Sequence, residues 1–375
     1  MIAPYNVAVC QMDRIVGLSR GLEHTKEVAR ENLKRYCEVI DFTCAGEFSG
    51  RGPVASAEGV RLLTFGEFSI TGNQLAARPG EKTLTNREII KYIAISIPGE
   101  ETDILAAKAR QYGVYIAAAN LELDPAWPDL HFNTGFIISP KGKIILKYRK
   151  IVTNNLLAIS CSAHDVMDQY KDPITGKYDP FPVVDTEIGR LAVFICADLI
   201  APEIPRIYSM KGADVVLHLT SGMSAKSGGM QPNDVNAAAL RTRAWDNCVY
   251  IVNSNWGLEL GGYYPKVRIS GGSCVFDYAG NLLAAAQDCN EQVVRASIDV
   301  EACRKARAQY FRNSTSIIRT ELYAPFYNQT IYPPNMALKE GPLDELLNER
   351  QQGRIRAAKE NLKRLEGFYS EDIVR

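Results

Sequence analysis

The chain predicts an α/β layered domain over roughly residues 5 to 315, and three observations carry that expectation. Short apolar runs alternate with amphipathic helical patterns along most of the sequence. Hairpin-like turns are interleaved with strand–helix units, which points to a mixed sheet. With 375 residues and 46% apolar composition, there is ample material for a buried core.

In chain order, Val7–Cys10 is the first strand and Ser19–Ile40 the first helix, with apolar positions at Leu22, Val28, Ala29, Leu33 and Tyr36. Arg61–Phe65 returns as a strand. A helix over Glu100–Tyr112 leads to strands at Val114–Ala118 and Asn133–Ser139, and Pro140-Lys141-Gly142 turns the chain back into Ile144–Lys147. Further strands are expected at Arg190–Ile195, Asp214–Leu219, Val249–Asn253, Gly272–Phe276 and Val293–Ile298. Helices fill Glu203–Lys211 and Asn233–Trp245.

Two segments break the alternation. Residues 151–183 hold several prolines and little periodicity, so they read as a long, lid-like connection of the kind that carries function. Residues 320–375 form a separate C-terminal unit beyond the 1–319 domain. It opens with an extended stretch rich in Pro, Tyr and Asn (Tyr323–Asn335) and ends in a charged helix with apolar positions at Leu343, Leu346, Leu347, Ile355, Leu362 and Leu365. Such an arm suits packing on another subunit.

Composition narrows the function. The 43 basic residues balance 43 acidic ones, which removes the electrostatic footprint that nucleic-acid or anionic-membrane binding requires. No apolar stretch reaches the length of a membrane span, and the first residues lack a leader pattern, so a soluble, untargeted protein is expected. Nine scattered cysteines, an odd number without Cys-x-x-Cys spacing, fit reduced thiols in a cytosol and argue against a structural zinc site.

Three segments place a reactive side chain at the end of an apolar strand. In Arg61-Leu-Leu-Thr-Phe-Gly-Glu67-Phe-Ser-Ile-Thr-Gly72 a carboxylate follows the strand, where crevices form in α/β sheets. The tetrapeptide Gly-Glu-Phe-Ser also occurs at Gly46–Ser49, but no strand precedes Glu47. In Ile144-Ile-Leu-Lys-Tyr-Arg-Lys150 an ammonium ends a basic strand. In Gly189-Arg-Leu-Ala-Val-Phe-Ile-Cys196-Ala-Asp198 a thiol stands at a strand-to-turn tip, where backbone N–H groups are near enough to meet a developing oxyanion. Each alone is compatible with an ordinary turn, an exposed strand end or a buried thiol.

In the order Glu67, Lys150, Cys196, the three segments resemble the nitrilase superfamily, the carbon–nitrogen hydrolases. Tyr148-Arg149-Lys150 matches the lysine motif, and Ile195-Cys196-Ala197-Asp198 through Pro202-Glu203 matches the cysteine motif. Ala8-Val9-Cys10-Gln11, Asn133-Thr134, Gly212-Ala213-Asp214, Asn255-Trp256-Gly257 and Gly272-Ser273 to Gly280 support it. The resemblance implies a four-layer αββα sandwich associating as homodimers or larger assemblies. It also implies a thioester mechanism without metal or organic cofactor. Glu67 is then the base, Cys196 the nucleophile, and Lys150 with the Ala197 backbone N–H the oxyanion support.

Asp198, two residues after the nucleophile, resembles amidase-like branches, so a small amide is the expected substrate. Carbamoylase or nitrilase activity, or an inactive scaffold acting through its C-terminal arm, are the alternatives. Leu199 and Ile200 stand where carbamoyl-amino-acid hydrolases often carry arginines. Many relatives have a second Glu soon after the lysine, but here none occurs before Glu187. Asn154, His164, Asp165 or Glu122 are the candidates to replace it. Pocket walls are expected from Asp124–Phe132, with Trp127 and His131, from the connection after Lys150, and from Ser221–Gln231. Gly228-Gly229 and Gly271-Gly272 read as turns, not nucleotide loops.

Overall fold

A computed structural model of the chain describes residues 1–16, 20–45, 59–72, 84–153, 160–222, 234–260 and 271–309, most of 311–340 and a few positions between 353 and 363. Its first half contains β1 (Tyr5–Gln11), β2 (Arg14–Ile15), α1 (Thr25–Ala45), β3 (Val60–Glu67), α2 (Asn86–Tyr92), β4 (Ile95–Ser96), α3 (Glu100–Tyr112), β5 (Tyr115–Leu123), β6 (His131–Ile138) and β7 (Ile144–Arg149). There follow β8 (Val183–Thr186), β9 (Gly189–Ile195), α4 (Glu203–Met210), β10 (Val215–Leu219), α5 (Val235–Asn247), β11 (Tyr250–Ser254), β12 (Glu259–Leu260) and β13 (Cys274–Phe276). The last are β14 (Leu282–Ala285), β15 (Gln292–Ile298), α6 (Val300–Arg307), α7 (Thr320–Tyr327) and α8 (Met336–Glu340).

One sheet runs β15-β1-β3-β5-β6-β7, with β4 beside β5; the other runs β14-β13-β11-β10-β9-β8. In both, the central strands are parallel: β1, β3 and β5 in the first, β9, β10 and β11 in the second. Antiparallel hairpins extend them, such as β5-β6-β7. The alternation of strand side chains separates two cores. Val7, Val9, Ala117 and Ile137 face Val193 and Leu217 of the opposite sheet, while Ala8, Leu63, Ile116 and Ile138 pack under Leu33 and Leu105 of α1 and α3. Tyr208 of α4 and Leu240 of α5 cover the second sheet, giving the αββα layers.

Local chemistry explains the element boundaries. Helix α3 matches its expected span, because Gly113 takes the left-handed conformation (φ 65°) that closes it. Helix α1 starts at Thr25 rather than Ser19, since Gly21 has φ 99° and Leu22–His24 forms a separate 3-10 turn. Strand β8 begins at Val183, the last residue of the segment expected to be a connection. It is a half-exposed edge strand of four residues, of which only Val183 and Val184 are apolar. Residues 320–327 form a helix rather than the first part of an extended arm. Pro325 removes only one amide from α7, and Tyr327 Oη anchors the helix by donating to Glu203 Oε1 at 2.8 Å. The described residues between 353 and 363 are helical, whereas Leu343, Leu346, Leu347, Ile355, Leu362 and Leu365 lie outside the described residues. Among the described residues no helix is long and apolar enough to cross a membrane, and no cluster of metal-ligating side chains occurs.

Candidate active site

The parallel strands end on one edge of the sandwich, and the reactive residues stand at those ends. Glu67 ends β3, Lys150 follows β7, Cys196 follows β9, and Thr220-Ser221 follow β10. The two sheets meet tightly here: Glu67 N donates to Thr220 O at 3.1 Å. Gly66 makes that approach possible, since a Cβ would lie 2.8 Å from Thr220 O.

Glu67 is 1% exposed and receives donors on both oxygens. Lys150 Nζ at 2.7 Å and Asn133 Nδ2 at 2.6 Å donate to Oε1; Ser221 Oγ at 2.7 Å and Ser221 N at 3.1 Å donate to Oε2. Burial alone would raise the carboxyl, but the Lys150 charge and these donors outweigh it and hold Glu67 below its ordinary value. Lys150 is equally buried, and the Glu67 charge, with Cys196 and Asp198, overcomes burial to hold its ammonium above the ordinary range. The pair is a carboxylate and an ammonium throughout the neutral range.

Cys196 has φ 48°, in the left-handed region that non-glycine residues rarely adopt, and begins a short 3-10 turn, Cys196–Ile200. Asp198 secures this turn. Its carboxylate accepts from Ile195 N at 2.9 Å, Val152 N at 2.8 Å and Tyr148 Oη at 2.8 Å, so one buried group ties the cysteine turn to the strand end that carries Lys150. Burial and then the Glu67 charge push the Cys196 thiol up, while Lys150, the Thr220 side chain and Ser221 N pull it down. Its pKa lies above the ordinary thiol value. A thiol in this state needs a base before it can attack, and the hydrogen-bonded Glu67 carboxylate is at hand. Cys196 and Ala197 line a cavity of about 400 Å³ together with His218, Thr220, Leu199 and Asn253.

The other expected site residues fall in several places. Ser221 belongs to the cluster. Glu122 does not: it is fully buried against Lys147 and Arg149 and accepts from Thr134 Oγ1 at 2.5 Å, an ion-pair hub away from Glu67. Asp165 accepts from Ser162 N and Oγ at 2.9 Å, closing a local turn. His164 faces Tyr332 and accepts Asn335 N through its backbone oxygen. Trp127 packs on a satellite cluster of Leu130, Phe132, Cys161, Val166 and Tyr170. His131 is buried, and its backbone oxygen accepts from Cys161 N at 2.9 Å. Asn154, Glu47 and most of Ser221–Gln231 lie outside the described residues. Asn133 and Asp198 enter the sequence reading only as motif residues, with no role assigned at the site; the motifs themselves were the available signal. His218 and Thr220 carried no signal of their own.

The carbon–nitrogen hydrolase family model matches residues 6–308. A formamidase from Bacillus thuringiensis (strain Al Hakam) is 29% identical over 278 residues, 74% of this chain and 70% of that protein. Nit3 of Saccharomyces cerevisiae, a nitrilase superfamily member, has a TM-score of 0.58 at 20% identity, covering 81% of this chain and 93% of its own. An amidase mutant from Nesterenkonia sp. AN1, with the acetamide moiety of fluoroacetamide added covalently at its active-site cysteine, has a TM-score of 0.57 at 16% identity. That match covers 86% of this chain and 96% of that one.

Proposed function

The chain belongs to the carbon–nitrogen hydrolase family, and from that premise we propose that it is an amidase hydrolysing a small-molecule amide through a Cys196 thioester. The observation that carries this reading is the convergence of Glu67, Lys150, Ser221 and Cys196 on one strand edge, with a hydrogen-bonded carboxylate beside a protonated thiol.

In the first half-reaction Glu67 takes the Cys196 proton as sulfur attacks the amide carbon. The carbonyl oxygen becomes an oxyanion held by the Lys150 ammonium and the Ala197 backbone N–H. Collapse breaks the C–N bond, and Glu67 returns the proton to the leaving nitrogen, releasing ammonia or an amine. Water then enters. Glu67 takes one of its protons, hydroxide adds to the thioester carbon, and collapse breaks the C–S bond to release the carboxylic acid as Glu67 returns that proton to sulfur and restores the thiol.

The formamidase and amidase relatives support an amide over a nitrile, as does Asp198. The cavity of about 400 Å³ beside Cys196, with Leu199, Ile200 and Leu240 among its walls and Asp234 and Arg243 in its lining, has room for a small-molecule amide. Ammonia release from a panel of formamide, acetamide, longer amides, nitriles and carbamoyl compounds, run beside Cys196→Ala, tests the reading. Turnover of amides that is lost in the variant is expected; turnover retained by Cys196→Ala overturns it. We also propose a cytoplasmic protein, on its scattered free cysteines, that assembles as a homodimer or larger through residues 320–375; light scattering on the full chain tests the assembly.

A further inference from the structure

We propose that His218 is a positioning residue for the nucleophile, its Nε2–H holding the carbonyl of Cys196 and so fixing the left-handed turn from which the thiol is presented. This role rests on Cys196 being the nucleophile. His218 is the fourth of the five residues of the parallel strand β10, after Val215, Val216 and Leu217 and before Leu219, and is 3% exposed. An imidazole among such neighbours needs polar partners on both nitrogens.

The partners are specific. Nε2 stands 3.0 Å from the carbonyl oxygen of Cys196, and Nδ1 stands 2.7 Å from Asn253 Oδ1 on β11. Asn253 Nδ2 in turn donates to Gly272 O at 2.9 Å, so a chain of polar contacts runs from the cysteine turn to the Gly271-Gly272 loop on the far side of the same cavity. The Phe194 ring lies 4.5 Å from the imidazole at an interplanar angle of 32° and limits its tilt.

The proton on Nε2 follows from the chemistry of its neighbour. A backbone carbonyl can only accept, and it cannot exchange ends as an amide side chain can. At Nδ1 two arrangements work: a second proton donated to Oδ1, which keeps the Asn253 Nδ2 bond to Gly272 O, or a rotated Asn253 amide donating to Nδ1, which gives that bond up. Burial opposes the charged ring of the first, and the lost Gly272 contact opposes the second. In either arrangement Nε2 keeps its hydrogen.

The bond holds the carbonyl whose carbon closes the strained torsion. Cys196 occupies φ 48° at the junction of β9 and its 3-10 turn, a conformation that persists only where neighbours hold it. Asp198 holds the turn through Ile195 N on one side of the cysteine, and His218 holds the Cys196 carbonyl on the other. Relaxation of the turn would swing Sγ away from Glu67 and the oxyanion donors. The expected cost therefore falls on kcat rather than KM.

Two measurements test this. In the wild-type protein, ¹⁵N-resolved NMR of the His218 ring should show Nε2 protonated at neutral pH; an unprotonated Nε2 overturns the proposal whatever the enzyme's substrate. His218→Phe keeps a flat ring beside Phe194 but lacks the donor, whereas His218→Gln can supply an amide N–H. In folded His218→Phe, kcat and the rate of Cys196 alkylation by iodoacetamide should each fall about tenfold with KM little changed, the scale of one hydrogen bond. His218→Gln should recover part of both. Wild-type kcat and alkylation in folded His218→Phe, or losses that His218→Gln does not relieve, would refute the positioning role. Because alkylation needs no substrate, failure here is separable from failure of the amidase reading, which Cys196→Ala reports.

Discussion

Lys150 Nζ lies 2.7 Å from Glu67 Oε1, across 83 residues of sequence, and both side chains are 1% exposed. A fully buried ion pair of this kind is seldom retained for stability, because removing two charges from water offsets most of their attraction. Breaking it is another matter. Glu67→Gln leaves the Lys150 ammonium buried without its carboxylate and should cost about 3–5 kcal/mol of unfolding free energy. The double variant Glu67→Gln/Lys150→Met should lose less than the sum of the two single changes. Urea denaturation of the four proteins measures the coupling, and strict additivity would contradict an ion pair.

The same pair sets the response of stability to pH. The Glu67 carboxyl lies below its ordinary value, so its contribution is complete above about pH 4.3 and is lost as the pH falls through the depressed folded value. Lys150 is held above its ordinary value, so its contribution is complete below about pH 10.4 and is lost only as the pH rises through the raised folded value. Melting temperature measured from pH 3 to 7 should fall more steeply at the acid end in the wild type than in Glu67→Gln. Parallel curves would remove Glu67 from the linkage.

Ser221 donates to Glu67 through both its hydroxyl and its backbone amide. Ser221→Ala removes only the hydroxyl. A hydrogen bond to a charged group contributes about 1.5–3 kcal/mol, so the Glu67 pKa should rise by on the order of one unit. The acid limb of the kcat/KM profile should move to higher pH by the same amount, with the alkaline limb unchanged. An unmoved acid limb would show that Glu67 is not the titrating base.

Glu122 is expected to be structural rather than catalytic. With Lys147 and Arg149 as its partners, Glu122→Gln should destabilise the fold by about 3 kcal/mol or more while leaving the acid limb of the folded enzyme where it was. His164→Ala, at the satellite cluster, should keep full kcat. A shifted acid limb in Glu122→Gln, or a lost kcat in His164→Ala, would return that residue to the mechanism.

The motifs were legible because each is local: a strand of buried apolar residues ending in one reactive group. Glu67, Lys150 and Cys196 stand at such ends, and the strands that carry them appear within a few residues of their expected bounds. Helices α2 and α6 and the edge strands β8 and β14 were not legible. They are short or half-exposed, so their apolar periodicity spans too few residues to register.

The sequence by itself determined the layered α/β architecture and the order of the three reactive groups, because strand periodicity and short motifs are properties of neighbouring residues. Tertiary structure alone decided what surrounds those groups. Ser221 and Asn133 reach Glu67 only because two sheets stack with Gly66 at the crossing. Asp198 and His218 grip the Cys196 turn from different strands, and Glu122 is withdrawn into an ion-pair hub with Lys147 and Arg149. These contacts join residues distant in the chain. Which face a side chain takes, and what it meets there, follows from register and layer packing rather than from any local pattern.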